Sequence, residues 1–203
     1  MNIGIDIDGV LTNMRKFEIE EGIKYCEKTK IGGLVNSDAY SSTDMFNWDE
    51  ETDFDFWKEN IFKYAETGEV MEGAANNTKK LKEDGHKLYI ITARWLANDE
   101  ENAITKNNNG IREKMRDTVK GWLRKNNIEY DKIIFSGEDK SKHIIENKID
   151  IMIEDSPNNL KQLSKLTKMI CMDWNYNKEV DGEKIYRCYN WDEIYSYITN
   201  VEK

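Results

Sequence analysis

Proline occurs once in this chain of 203 residues, at Pro157, so no proline-rich linker divides it. Histidine occurs twice, at His86 and His143, which argues against a histidine-built metal site. The three cysteines (Cys26, Cys171, Cys188) are odd in number, far apart and form no Cys-x-x-Cys, which argues against a disulfide framework or a zinc ribbon. No apolar run approaches the roughly 20 residues needed to span a bilayer. The N-terminal apolar run is short and carries Asp6 and Asp8, so it does not read as a signal peptide. Basic residues are also in deficit: 30 Lys and Arg face 39 Asp and Glu, for a formal charge of −9. Without a basic stripe to displace counterions, the chain is not expected to bind nucleic-acid polymer. These absences leave a reduced, cytoplasmic protein with no membrane partner as the expectation. An anionic small molecule stays open, because one metal ion and one lysine can reverse the field locally.

What is present alternates between two periods. Short β-branched runs read as strands at Asn2–Ile7, Lys87–Thr92, Lys132–Phe135, Ile149–Glu154, Lys168–Met172 and, more weakly, Lys184–Cys188. Helical patterns fall between them at Glu72–Glu83, Ile111–Asn126, Lys142–Asn147, Asn158–Leu166 and Asp192–Val201. Asp84-Gly85 is a stop signal after the first of these, and Pro157 suits a first helical position. The alternation predicts an α/β fold with a parallel sheet covered by helices on both faces. Residues 13–70 break the alternation. They carry helical patterns at Lys16–Lys28 and Asp53–Tyr64 and no convincing strand, which reads as a helical insertion after strand one. Leu96–Gly110, with its Asn107-Asn108-Asn109-Gly110 run, reads as a mobile surface loop.

In parallel sheets, ligands bind beyond the carboxyl ends of the strands. Strand one runs into Asp6 and Asp8, which start out on one side of the strand, and then Gly9, where the backbone can turn. Two like charges at the end of a buried strand call for a cation between them. Strand two ends in Thr92-Ala93-Arg94, and the fourth strand in Glu154-Asp155-Ser156. Lys140 and Lys142 stand at the helix before that strand. A carboxylate can attack phosphorus, a second can carry the proton, and a hydroxyl and an amine can hold phosphoryl oxygens. Each residue has a plainer use as well. Thr92 could form a turn, Asp155 could cap a helix, the lysines could belong to a solvated helix start, and Arg94 could face phosphate or solvent. The aromatics of the insertion (Phe46, Trp48, Phe54, Phe56, Trp57, Phe62 and Tyr64) could stack on a base or pack a small lobe, and Trp95 could face the same pocket.

Asp6-Ile7-Asp8-Gly9-Val10-Leu11, Ile90-Ile91-Thr92, a lysine near 140 and Ile153-Glu154-Asp155 together resemble, in order, the four motifs of the haloacid dehalogenase (HAD) superfamily. Ile91-Thr92-Ala93-Arg94, Glu138-Asp139-Lys140 and the run Ile149–Pro157 resemble the nucleotidase-like branch related to 5′(3′)-deoxyribonucleotidases. The resemblance implies a Rossmann-like parallel sheet sandwiched by helices. The core would comprise 1–12 and 71–203, and 13–70 would form a small helical cap. It implies a phosphomonoester hydrolase that uses Mg²⁺ and an aspartyl-phosphate, acting on a nucleotide or similar small phosphate. Asp6 would be nucleophile and metal ligand, and Asp8 the general acid/base with its carbonyl on the metal. Thr92 and the lysine, Lys140 by family spacing, would bind the phosphoryl group; apart from the resemblance, Arg94 is a candidate substrate contact by its place after strand two. Asp155 would complete the metal site, with Glu154 acting through water. The acid at Asp8, two residues after the nucleophile, favours a phosphomonoester over a haloacid. A sugar or metabolite phosphatase of the same fold and a non-catalytic phosphate-binding module stand as alternatives, and a homodimer is left open.

Overall fold

The computed structural model describes residues 1–98, 104–105 and 109–201. Much of the loop expected at Leu96–Gly110 lies outside the described residues. Six strands form one sheet: β1 (Asn2–Ile5), β2 (Lys87–Thr92), β3 (Lys132–Phe135), β4 (Ile151–Glu154), β5 (Lys168–Met172) and β6 (Ile185–Cys188). Every pairing is parallel and the order is β3-β2-β1-β4-β5-β6. The chain winds outward from β1 to β3 and then returns to the other side of β1 for β4. The crevice at that reversal, beyond the carboxyl ends of β1 and β4, is where this topology places ligands.

The helices are α1 (Met14–Thr29), α2 (Ser42–Phe46), α3 (Glu50–Thr67), α4 (Ala74–Glu83), α5 (Asn109–Lys125), α6 (Ser141–Glu146), α7 (Pro157–Leu163) and α8 (Trp191–Val201). With the helices, the sheet makes a Rossmann-like α/β fold. β1 and β4 are apolar because both faces are covered: Ile3, Ile5, Ile151, Met152 and Ile153 are all buried. The three cysteines are free. None of the described helices is long and apolar enough to cross a membrane.

Strand one is shorter than its sequence pattern, ending at Ile5 rather than Ile7. The Ile7 carbonyl accepts from the N–H groups of Val10, Leu11 and Thr12 at 3.3, 2.8 and 2.9 Å, so the chain coils around it at once. Asp6 keeps one last sheet bond, its N–H donating to Ile153 O at 3.1 Å. Asp6 and Asp8 therefore sit in a tight turn, which their strand-like spacing does not describe. β4 starts at Ile151 rather than Ile149, because the Ile149 N–H is taken by Ile144 O at 3.0 Å to close α6.

Residues 13–70 hold α1, α2 and α3, each opened by a side-chain cap: Asn13 accepts from Lys16 N, Ser41 from Asp44 N and Asp49 from Thr52 N. The five-residue α2 has no counterpart in the sequence reading, being too short to show a period. The chain leaves and rejoins the sheet side at one place. Asn13 N donates to Glu69 O and Met71 N to Leu11 O, both at 2.8 Å. Tyr25, Met45, Phe46, Trp48 and Phe56 form a buried cluster of their own within this segment. Phe46 and Trp48 stack with centroids 4.4 Å apart.

Candidate active site

A cavity of about 650 Å³ opens over the carboxyl ends of β1 and β4. Asp6, Asp8, Arg94, Lys140, Glu154 and Asp155 all reach its wall. α1 and α3 contribute the opposite wall, through Arg15, Glu18, Asp53, Phe54, Trp57 and Tyr64.

Asp6 is delivered by the end of β1 and Glu154-Asp155 by the end of β4, its neighbour. One carboxylate oxygen from each of Asp6, Glu154 and Asp155 falls within 4.8 Å of the others. The Gly9 turn makes this approach possible. Its φ is +73°, and a β-carbon there would overlap the Asp155 carboxylate.

Lys140 enters from the start of α6 with its side chain 1% exposed. Its Nζ lies 2.7 Å from Glu154 Oε2 and 2.9 Å from Asp6 Oδ1. Lys142 points the other way and pairs with Glu146 on the surface at 3.7 Å. Of the two lysines, Lys140 is the one in the site. Glu154 is fully buried, and its oxygens are occupied. Oε1 accepts from Asp155 N and Ser156 N, both at 3.2 Å, and Oε2 accepts from Lys140 Nζ and, at 3.3 Å, Asn159 Nδ2.

Asp8 is held by three donors. Arg94 grips it with Nε at 3.1 Å from Oδ2 and Nη2 at 2.5 Å from Oδ1. The Tyr64 hydroxyl, from α3, donates to Oδ1 at 2.5 Å. The Tyr64 ring also lies 4.5 Å from the Arg94 guanidinium. Arg94 is thus neither solvated nor wholly free for phosphate: it is 4% exposed and bound to Asp8. Its Nη1 is buried without a hydrogen-bond partner among the described residues. Thr92 is fully buried behind the wall, and its Oγ1 accepts from Arg94 N at 3.2 Å in the turn after β2.

The electrostatics are those of a site short of positive charge. Burial raises the Asp6 carboxyl to about 8; Lys140 opposes this, while Glu154 and Asp8 add to it. Burial, with Glu154 and Asp6 nearby, likewise holds Asp155 well above the carboxylate range. For Lys140 burial works against the charge, but Asp6 and Glu154 outweigh it and raise its pKa. One lysine thus faces three carboxylates, while Arg94 is committed to Asp8. Asp6 Oδ1 is buried and has no hydrogen bond among the described residues, only the off-angle ion pair with Lys140. A hard divalent cation, which takes oxygen ligands, fits that donor set.

The aromatics divide by role. Phe54, Trp57, Tyr64 and Trp95 line the cavity, and Trp95 meets Phe54 edge-on at 5.6 Å. Phe46, Trp48 and Phe56 pack the small lobe, and Phe62 packs against the main core. Glu18 and Tyr176 are among the wall residues that escaped sequence reasoning. Glu18 is buried beside Arg15, 3.0 Å away, and burial raises its carboxyl to about 8. Tyr176, in the turn after β5, donates to Asp155 Oδ2. The carboxyl end of β5 would have drawn attention to Asp173–Asn177 by the same rule that singled out Asp6.

A Rossmann-like sheet of this order, with three helices between its first two strands and a fourth leading into the second, is the fold class that this chain adopts. Solved structures share the fold. A HAD-superfamily hydrolase from Ehrlichia chaffeensis superposes with a TM-score of 0.55 at 12% identity, over 100% of this chain and 97% of that one. The d,d-heptose 1,7-bisphosphate phosphatase from B. bronchiseptica, complexed with magnesium and phosphate, superposes with a TM-score of 0.51 at 10% identity, over 99% of each. A nucleotidase of Clostridium acetobutylicum is 25% identical over 205 residues, covering 99% of this chain and 95% of its own. The family model described as "5' nucleotidase, deoxy (Pyrimidine), cytosolic type C protein" matches residues 1–203, and the chain belongs to that family. It is a phosphatase of the nucleotidase type.

Proposed function

We propose that the chain hydrolyses a nucleotide or similar small phosphate monoester through an aspartyl-phosphate on Asp6, with Mg²⁺ as cofactor. The observation that carries this is the meeting of Asp6, Asp8, Lys140 and Asp155 on one cavity wall. In the first step an Asp6 oxygen bonds to phosphorus, the ester P–O bond breaks, and Asp8 gives a proton to the leaving oxygen. In the second, water attacks the phosphorus, Asp8 takes its proton, and phosphate leaves with Asp6 regenerated. Lys140 and the unpartnered Nη1 of Arg94 receive phosphoryl oxygens, and Thr92 supports Arg94 through its backbone bond.

Asp6, Asp155 and the Asp8 carbonyl would hold the cation. Bound there, Mg²⁺ supplies the positive charge that lets an anionic nucleophile approach an anionic phosphate. Magnesium and phosphate in the heptose bisphosphatase support this reading. Glu154, whose oxygens are taken by protein donors, acts as the anchor of Lys140 rather than through water. Residues 13–70 serve as a cap over a core made of 1–12 and 71–203. Phe54, Trp57 and Trp95 offer aromatic faces for a nucleobase on the leaving group.

The test is a panel of nucleoside monophosphates, sugar phosphates and small phosphate esters, with Mg²⁺, for the wild type and Asp6→Asn. Turnover that is strongest on nucleotides and lost in the variant is expected. Equal rates for the two proteins across the panel would sink the proposal.

A further inference from the structure

The turn after β5 has no part in the chemistry proposed above, yet it reaches the carboxylates. Asn175–Asn177 make a single 3₁₀ turn on a hydrogen-bonded floor. Buried Asn177 donates from Nδ2 to Asp155 O at 2.8 Å and to Met172 O at 2.9 Å. Arg187 Nη1 donates to Asn177 Oδ1 at 2.8 Å. Trp174 Nε1 donates to Gly9 O at 2.8 Å, tying the turn to the loop that carries Asp6 and Asp8. On this platform Tyr176 aims its hydroxyl at Asp155 Oδ2.

The far side of the Tyr176 ring is covered by the inserted segment. The Arg15 guanidinium lies over the ring, 5.0 Å from its centroid. The Tyr40 ring leans on it with centroids 5.2 Å apart. Two polar bonds fasten the strap: Asn175 Nδ2 to Asp38 Oδ1 at 2.7 Å, and Arg15 Nη2 to the Tyr40 carbonyl at 3.4 Å. A continuous line of contacts therefore runs from residues 38–40 through a tyrosine ring to a carboxylate.

We infer that Tyr176 is a positioning residue for Asp155, and that through its ring the 38–40 strap and Arg15 set the affinity of the site for a divalent cation. The inference rests on the metal assignment made under the proposed function. An aspartate can turn about two bonds, and a hydrogen bond to one oxygen aims the other. Such outer bonds to ligating carboxylates are worth about 10–100-fold in metal affinity. The strap matters because Tyr40 and Arg15 pack against the ring, on which Trp174 also stacks with centroids 6.1 Å apart; if Tyr40 withdraws, the hydroxyl loses one of the contacts that hold it on Asp155. Coupling of this kind is reciprocal, so a cation in the site favours the docked strap to the same extent.

The measurement is calorimetric titration of the whole chain with Mg²⁺ for the wild type, Tyr176→Phe and Tyr40→Ala. Tyr176→Phe removes one oxygen from a half-buried ring, and Tyr40 is half exposed, so both variants keep the core intact. Tyr176→Phe is expected to raise the Mg²⁺ dissociation constant about 10–100-fold. Tyr40→Ala, which touches no carboxylate of the cluster, is expected to raise it roughly 2–30-fold. Excess Mg²⁺ should restore most of the turnover of Tyr176→Phe, which repair of a merely structural defect would not do. Mg²⁺ affinity in Tyr176→Phe equal to or tighter than wild type overturns the positioning role. Weakened binding in Tyr176→Phe with wild-type binding in Tyr40→Ala overturns the role of the strap. A wild-type chain that binds no divalent cation overturns the metal assignment itself, and the inference with it.

Discussion

Arg94 holds Asp8 in a two-pronged grip, Nε on one carboxylate oxygen and Nη2 on the other, across 86 residues of sequence. The planar guanidinium matches the carboxylate fork, and Tyr64 closes over both. This fixes the orientation of the group proposed to carry the proton. Arg94→Lys keeps the charge but cannot reproduce the fork. A fall in kcat of about 100-fold is expected, the lower end of what positioned acid–base groups contribute. Steady-state kinetics at saturating Mg²⁺ check this, and a wild-type kcat would show that the orientation of Asp8 is not limiting.

Among the described residues, Lys140 is the one cation paired with the buried Asp6, Glu154 and Asp155 cluster, through Asp6 and Glu154, so its removal should be felt in the fold as well as in turnover. Breaking a buried ion pair on one side costs about 3–5 kcal/mol. Lys140→Met should therefore unfold at a much lower urea concentration without divalent cation at neutral pH. Mg²⁺ or acid should recover part of the loss, the first by replacing the charge and the second by neutralising the carboxylates. Denaturant titrations with and without Mg²⁺ at two pH values make the comparison.

The metal-free chain should lose stability as pH rises. Glu18 and Asp6 both have folded-state pKa values raised by burial, to about 8 in each case. A group of this kind binds its proton more tightly when folded. Its stabilising effect is complete below its unfolded-state pKa, 4.5 for Glu18, and is lost as pH climbs through about 8. Glu18→Gln removes one such proton. The difference in unfolding free energy between variant and wild type should change between pH 4.5 and 8 with a slope of at most about 1.4 kcal/mol per pH unit. Stability curves that stay parallel across that window would refute it.

Gly9 turns with φ +73° beneath the Asp155 carboxylate. Gly9→Ala adds about 1–2 kcal/mol of left-handed strain and pushes a methyl into that carboxylate. The expected result is a lower melting temperature together with weaker Mg²⁺ binding. Thermal unfolding with and without Mg²⁺ reads both, and a variant that matches the wild type on the two would contradict this account of the turn.

Trp95 and Phe54 meet at the cavity wall. Trp95→Ala is expected to raise KM for nucleoside monophosphates by roughly tenfold, the worth of one aromatic contact. KM for a small aliphatic phosphate ester should barely change. Parallel shifts for both substrates would place the ring outside base recognition.

Much of this architecture was legible from one strand of text. The helices announced themselves by period and the strands by β-branched runs, and the rule that ligands sit beyond strand ends brought Asp6, Asp8, Arg94 and Glu154-Asp155 to one edge. Local chemistry misjudged the details where backbone bonding overrode pattern. The coil around the Ile7 carbonyl cut strand one short, and α2 was too brief to have a period. The aromatics of 13–70 looked alike in sequence, yet Phe54 and Trp57 face the cavity while Phe46, Trp48 and Phe56 pack together.

The sequence by itself determined the class of chemistry: acids, lysine and hydroxyl at the ends of β-branched runs that alternate with helical patterns, in an order that resembles the HAD motifs. Only the tertiary structure decided which lysine enters, that Arg94 serves Asp8, that Glu154 is walled in by donors, and that Tyr176 stands on Asp155. The reason is physical. Periodicity says which face of an element is covered, but the partner of a buried charge is chosen by how crossovers pack residues that lie far apart in the chain. The pair that opens the chain, Asp6 and Asp8, shows the difference: the local turn around the Ile7 carbonyl sets their spacing, and Lys140, Arg94 and Tyr64 from elsewhere set what each oxygen touches.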